Sequence, residues 1–337
     1  MFDEFFLIFL INLAIYLNRN KIIKFYNVYD LPDKKRKIHK FKTSLLGGYI
    51  FFINIIFFSI IIFFSDNFSV NSLVLFNNIN NYFTFFFISA CFYFLGFFDD
   101  KYNLNANLKF LIITLLIIFI IYFDKDLQIR IINFSFTDRV FDLKNLSFIF
   151  TLFCFIAYIN AFNLYDGINL QIGIYFLIIL IFLAFVTNFN YFIISLFFPL
   201  FVFLILNSEG KIFLGNSGTY LISFIISYLF IKTFNLFGTI FSDQILLIML
   251  IPGLDMIRLF FTRIKSKKNP FTPDRNHIHH KFLEVFGYKK TIILISILSF
   301  LPIILINYLK SYFTILFIIF FYFFIIFTLK KLIKSLD

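Results

Sequence analysis

The chain has 337 residues, of which 61% are hydrophobic and only 14% charged, with a formal net charge of +12. Soluble domains hold about 45–50% apolar and about 25% charged residues, so the apolar excess is too large for one water-soluble core to hide. The same excess excludes intrinsic disorder, and it leaves an all-α, polytopic membrane helical bundle as the fold class.

A membrane-spanning helix needs roughly 20 mostly apolar residues. In chain order, apolar runs fall at about 2–17, 46–65, 83–98, 108–123, 146–160, 168–187, 190–206, 217–234, 242–261, 290–307 and 311–329. They predict about 11 transmembrane helices in a single integral membrane domain over residues 1–337. The first run opens with Asp3 and Glu4 instead of lysines and has no small-residue cleavage site after it, so it is expected to stay as a helix. The 61 Phe residues rise together with Ile, Asn and Lys. That is a drift of the whole composition, and no single Phe carries a functional meaning. Cys91 and Cys154 sit in apolar runs without paired spacing and read as small buried hydrophobes.

The loops between these runs set the orientation. Of the 30 Lys and Arg residues, 22 fall on the side of segments 18–45 and 262–290, and five on the other. The positive-inside rule then places the N-terminus outside and the C-terminus in the cytoplasm. The basic face suits anionic lipid heads and anionic soluble substrates, although the positive-inside rule by itself would produce it. No nucleic acid partner is expected. The one long outside loop, 124–145, alternates apolar and polar side chains from Leu127 to Phe136, as a short hairpin does. No internal repeat or inverted symmetry of the transporter kind is present.

The informative polar residues collect on the cytoplasmic side, in loops at about 18–45, 99–108, 160–168, 207–217 and 262–290. Asp99 and Asp100 end the third apolar run. Adjacent carboxylates repel and call for a cation, and a hard cation such as Mg2+ takes one or two carboxylates plus substrate phosphates. Lys109 follows one short loop later, within reach of a phosphate. Asn160, Asn163 and Asp166 recur at every third residue and share a face if the segment is helical; Gly167 is then expected to end that helix. Asn207 precedes a Gly215-x-x-Gly218 turn, whose backbone N–H groups read as an anion cradle. Asp274, Arg275, His277, His279 and His280 lie in the second basic loop. Zinc would ordinarily bring cysteine, and Mg2+ does not favour imidazole, so these histidines are expected to donate to phosphate oxygens. Asp255 and Arg258, three residues apart, are expected to pair structurally.

These clusters, in this order, resemble the polyprenyl-phosphate N-acetylhexosamine-1-phosphate transferases, of glycosyltransferase family 4 type. The resemblance runs from about Asp30 to His280, and it is the ordered set that is specific. The family's paired aspartates are matched by Asp99 and Asp100, and its later lysine by Lys109. Its Asn-x-x-Asn-x-x-Asp-Gly segment is matched by Asn160, Asn163, Asp166 and Gly167, and the Asn ahead of the glycine turn by Asn207. Its His-x-His-His loop is matched by His277, His279 and His280, with Asp274 and Arg275 in place. The order of these histidines resembles the branch that initiates surface glycans such as O-antigen and teichoic acid. The peptidoglycan lipid I synthase branch instead carries three consecutive histidines. Asp30, Pro32, His39, Gly47 and Gly48 also match, without the family's usual proline before the glycines. Two departures stand out: Asn169 and Asn216 occupy positions where the family has aspartates, the second of them a metal ligand.

The resemblance implies transfer of an N-acetylhexosamine-1-phosphate from a UDP-N-acetylhexosamine to membrane polyprenyl (undecaprenyl) phosphate, with release of UMP. The implied cofactor is Mg2+, with Mn2+ as the alternative, held by Asp100, Asp166 and Asn216. Asp99, Asp100 and Asp166 are the implied catalytic carboxylates. Lys109, Asn160, Asn163, Asn207, Arg275, His277, His279 and His280 are the implied substrate contacts, and Lys and Arg of segment 34–42 would steer the lipid head. The implied setting is a bacterial inner membrane with the site on the cytoplasmic face, and relatives are often homodimers. The competing readings are a non-catalytic family member, a lipid or sugar-lipid transporter and, within the enzyme class, a peptidoglycan lipid I synthase. Transport calls for polar residues at mid-membrane depth, and few are found.

Overall fold

The computed structural model describes residues 2–32, 41–64, 76, 78–188, 190–267 and 274–336. Lys34, Lys35, Arg36, Lys37, His39, Lys40 and Pro273 lie outside the described residues.

The apolar runs fold as helices because lipid offers no partner for backbone N–H and C=O groups, which must pair within the segment. In chain order the helices are α1 (Phe2–Leu17), α2 (Arg19–Tyr26), α3 (Gly47–Phe64), α4 (Ile79–Tyr102), α5 (Ala106–Phe123), α6 (Ser147–Tyr165), α7 (Gln171–Val186), α8 (Tyr191–Ser195), α9 (Phe197–Ser208), α10 (Gly215–Lys232), α11 (Ser242–Lys265), α12 (Ile278–Ile306) and α13 (Ser311–Leu336). Among the described residues nine helical segments are long and apolar enough to cross a membrane, and ten if α1 and α2, bent by 75°, count as one. All eleven apolar runs are helical, but α7 has only 16 residues. The protein is thus an α-helical polytopic membrane protein.

Two differences from the sequence reading bear on function. The run expected at 290–307 begins at Ile278, with a break at Gly287 (φ 72°, ψ 174°), so His279 and His280 sit on the first turn of α12 and His277 immediately precedes it. The helix carrying Asn160 and Asn163 ends at Tyr165, and Gly167 is not left-handed. The left-handed residue there is Leu170, at φ 68° just before α7.

α10 is the central post. Of the apolar window in Gly215–Phe237, 83% is buried, where the other eight candidate spans bury 22–56%. Its far end is held by a fully buried ion pair, Lys232 Nζ to Asp124 Oδ1 at 2.8 Å, with Tyr228 and Asn81 also donating to Asp124. A buried pair is tolerable only when further hydrogen bonds satisfy it, and this one has them. Beyond it, β3 (Ile131–Phe134) and β4 (Thr137–Asp142) form the expected hairpin, a few residues later than the alternation suggested, and Ser135 at its turn donates to Asp243 of α11.

The near end is built by close backbone approach. β1 (Tyr29–Asp30) pairs antiparallel with β2 (Thr43–Ser44), and Ser44 bridges in parallel to Ile212. The N–H groups of Gly47 and Gly48 donate to Phe213 and Leu214, both at 3.0 Å. A Cβ on Gly48 would lie 2.4 Å from the Gly218 nitrogen, and one on Gly96 2.3 Å from the Asn216 carbonyl oxygen. The starts of α3 and α10 and the end of α4 therefore meet backbone to backbone. Gly96→Ala is expected to destabilise by about 1–3 kcal/mol, the usual scale of overpacking, in thermal unfolding of the detergent-purified protein. Gly253→Ala, where an added Cβ meets nothing within 4 Å, is the matched control. A Gly96→Ala melting temperature no lower than the control's would contradict this packing.

Candidate functional site

The site is assembled at this glycine-lined end. Asp99 and Asp100, on the last turn of α4, face different partners. Asp100 lies against the start of α10: its Oδ1 accepts from the Asn216 N–H at 2.8 Å and its Oδ2 from the Ser217 N–H at 3.0 Å. The first N–H groups of a helix have no partner within the helix and carry partial positive charge, so a carboxylate there is favoured twice over. The Gly215 turn is therefore an anion cradle, as expected, but the anion in it is the protein's own. A Cβ on Gly215 (φ +74°) would meet Asp100 Oδ2 at 2.7 Å.

Asp99, 2% exposed, is saturated. It accepts from Lys109 Nζ at 3.0 Å, the Leu104 N–H at 3.0 Å and the Tyr220 hydroxyl at 3.3 Å. Lys109, expected to reach a phosphate, is paired with this carboxylate.

The segment after α6 comes to the same end. The Asn163 side-chain oxygen Oδ1 accepts from the Thr219 hydroxyl of α10 at 2.8 Å, while Asn160 donates its side-chain amide back to the Ile156 carbonyl of its own helix. Asn207 ties two loops together, accepting from the Leu170 N–H at 2.6 Å and donating to the Ile212 carbonyl at 2.7 Å. Asn169 lies near Gly210, and its carbonyl accepts from Tyr288. Asp166 is half-buried and makes no hydrogen bond among the described residues. Burial, and then the charge of Asp100, push its carboxyl up to about 7.

The histidines complete the wall. His279 is 1% exposed and packs on Gly167 so closely that a Cβ there would sit 1.9 Å from its Nε2; its Nδ1 is 3.4 Å from the amide nitrogen of Gln171 at the start of α7. The His277 ring stacks on that of His279 with centroids 5.2 Å apart, and the His280 ring lies 4.4 Å from His279 and 6.4 Å from His277. His277 Nδ1 meets Asp255 Oδ2 at 2.9 Å, and Asp255 pairs with Arg258 as expected. Asp274 pairs with Arg263, whereas Arg275 is exposed.

The structure therefore joins Asp100, Asn216 and Asn163 around the start of α10, and Gly167 with the three histidines beside Asp166. The proximity of the two groups shows in the repulsion of Asp166 by Asp100. Among the described residues Asn160 hydrogen-bonds only within its own helix. Gln171, Ser217, Thr219 and Tyr220 were missed in the sequence. Each is an ordinary residue within an apolar helix, and only the packing reveals it. Among the described residues there is no group of three or more His, Cys, Asp or Glu side chains that could hold a metal ion. An all-protein cage is thus not built. Two mutually repelling carboxylates, one without a donor, fit a hard cation that completes its shell with water and phosphate.

Residues 82–234 match the family model of glycosyl transferase family 4. The chain is 27% identical over 296 residues to the undecaprenyl-phosphate alpha-N-acetylglucosaminyl 1-phosphate transferase of Thermotoga maritima, covering 86% of this chain and 84% of that protein. It is 27% identical over 217 residues to the protein of the same name from Escherichia coli K12, and 26% over 217 residues to that of Salmonella typhi. Each of these two alignments covers 60% of this chain and 59% of the relative, less than two thirds of its length.

The Asp166 shift has a consequence for stability. Its carboxyl is raised from 3.8 to about 7, so between those values the folded chain binds a proton that the unfolded chain releases. The contribution is present below about pH 4 and lost as pH rises through about 7. Asp166→Asn removes this loss. In EDTA, its gain in melting temperature over the unchanged protein is expected to be larger at pH 8 than at pH 5. An equal gain at both would show that Asp166 does not titrate in this range.

Proposed function

From a chain whose ordered motifs, family match and relatives together support a place in the polyprenyl-phosphate N-acetylhexosamine-1-phosphate transferase family, we propose that this protein transfers an N-acetylhexosamine-1-phosphate from a UDP-sugar to undecaprenyl phosphate. Its product would begin a surface glycan of the O-antigen or teichoic-acid type. The observation that carries the reading is Asp166, a carboxylate with no donor of its own beside the carboxylate that caps α10.

The chemistry follows from the residues. Phosphoryl transfer needs positioning and charge neutralisation more than covalent help from the protein. An oxygen of the lipid phosphate forms a bond to the sugar-bound phosphorus, the bond from that phosphorus to the bridging oxygen breaks, and UMP leaves. Asp100 and Asp166 would hold Mg2+, or Mn2+ in its place, with the neutral oxygen of Asn216 beside them. The bound cation supplies charge neutralisation on the diphosphate. Asp99, which accepts from Lys109, Leu104 and Tyr220, would fix Lys109 at the rim. His280 and Arg275, the less enclosed members of the histidine segment, are the donors best placed for nucleotide-sugar phosphates, while His279 holds the Asp166–Gly167 turn. The basic segments 18–45 and 262–290 support a cytoplasmic placement of this end, in an inner membrane crossed eleven times with the N-terminus outside. Asn169 and Asn216 favour the competing reading, a non-catalytic member, because each removes a carboxylate that the family carries.

Purified protein given radiolabelled UDP-N-acetylglucosamine, undecaprenyl phosphate and Mg2+ is expected to release UMP. Asp166→Asn is expected to lower the rate by about 10²-fold or more, the scale on which losing one preorganised electrostatic group acts, while the protein still inserts. Full activity of Asp166→Asn removes this site assignment, and no release from the unchanged protein favours the non-catalytic reading. Asn216→Asp restores a formal charge next to Asp100 and is expected to lower the Mg2+ concentration for half-maximal rate. An unchanged or raised requirement would count against a cation at that position.

A further inference from the structure

Asp255 does more than pair with Arg258. It lies in α11 three residues after Pro252, is 2% exposed, and uses both oxygens. Oδ2 meets His277 Nδ1 at 2.9 Å. Oδ1 accepts from Arg258 at 2.7 Å, from the Tyr322 hydroxyl at 2.7 Å and from the Ile278 N–H at 3.3 Å. Tyr322, itself fully buried, stands on α13 and also accepts from Arg258 Nε at 2.8 Å. Arg258 reaches on to the Asn276 carbonyl at 2.7 Å. Three helices and the segment leading into α12 thus converge on one carboxylate.

We propose that Asp255 is a positioning residue for His277, and that Tyr322 and Arg258 hold Asp255 in place, so that the C-terminal helix α13 is a working part of the site. This rests on the transferase reading above for its consequence but not for its geometry. A carboxylate on Nδ1 fixes the ring orientation and places the proton on that nitrogen, which leaves Nε2 as the working atom. His277 stacks on His279, which is wedged on Gly167 next to Asp166. A ring rotation at His277 therefore reaches the unpartnered carboxylate through two contacts. Tyr322 lies outside the matched family region of residues 82–234 and outside every motif recognised in the sequence.

The test is a double-mutant cycle on the full chain, reading kcat/KM for the UDP-sugar. Asp255→Asn is expected to lower it about tenfold or more and Tyr322→Phe about threefold, each by losing a coupled hydrogen bond. In a His277→Gln background neither change is expected to move the residual rate by more than about twofold. Tyr82→Phe deletes another buried hydroxyl, one that donates to the Ser59 carbonyl, and is expected to be neutral in both backgrounds. Equal losses in both backgrounds would make Asp255 and Tyr322 merely structural and overturn the proposal. A second readout needs no turnover. The chain has four histidines, so 15N-histidine spectra of the purified protein can be assigned with His→Gln variants. At a pH where the ring is neutral, His277 is expected in the Nδ1-protonated tautomer, and Asp255→Asn and Tyr322→Phe should shift it toward the other. A tautomer ratio that neither variant moves overturns the proposal. Absence of UMP release together with a shifted ratio overturns only the transferase reading.

Discussion

A helix that begins inside a bundle brings N–H groups with no partner of their own, and at the rim of a membrane they must be met. Here the start of α10 is met by Asp100 from α4, with one carboxylate oxygen on each of two successive amides. The rest of the site depends on that contact. It requires α4 and α10 to touch, which explains why Gly96 faces the Asn216–Ser217 backbone and why α3 opens on two glycines. It fixes the depth of α10, whose other end is pinned by the Lys232–Asp124 pair. It also puts a negative charge where a second carboxylate, Asp166, must tolerate it.

The same device appears again where α12 begins. His277, the residue before its first turn, makes no capping bond with its own side chain, and Asp255 of α11 accepts from the Ile278 N–H. Two helices that open at the site end are thus capped from a neighbouring helix. Such cross-capping makes the site rigid in a way that a cap from the same segment would not, because each bond ties one helix to another. It also accounts for the burial of carboxylates so close to apolar spans: helix-terminal amides and basic partners offset the cost of removing them from water.

Composition and hydropathy made the architecture legible, since every apolar run is a helix and Asp99, Asp100, Asp166 and the histidines fall at helix ends. Partners were not legible. Adjacent aspartates read as one metal-binding pair, yet they point to different neighbours, because consecutive residues on a helix diverge by about 100°. Lys109 looked available because its partner is ten residues away in sequence. The histidines read as loop residues because the charges of Lys281, Lys289 and Lys290 masked the helical start, and a loop was the natural reading of a basic segment. Gly167 read as a helix stop, but its missing side chain serves contact with His279. Asp255 was visible as a charge within an apolar run, which is a functional signal by default, but the spacing to Arg258 suggested a self-contained pair. Nothing in the sequence announces Tyr322.

The carboxylates at this end can be compared by what neutralises them. Asp99 has Lys109, a tyrosine and an amide. Asp100 has the start of α10. Asp255 has Arg258, a tyrosine, an imidazole and an amide. Asp274 has Arg263 and the Asn276 amide. Asp166 alone among these five has no donor, and Asp100 repels it. A fold that satisfies four buried or half-buried acids with such care has the means to satisfy a fifth. Asp166, beside a turn clamped by His279, is the one of these carboxylates that its neighbours leave unmet. The substrates proposed above are themselves anionic, so under that proposal a divalent cation is the species that would meet this carboxylate.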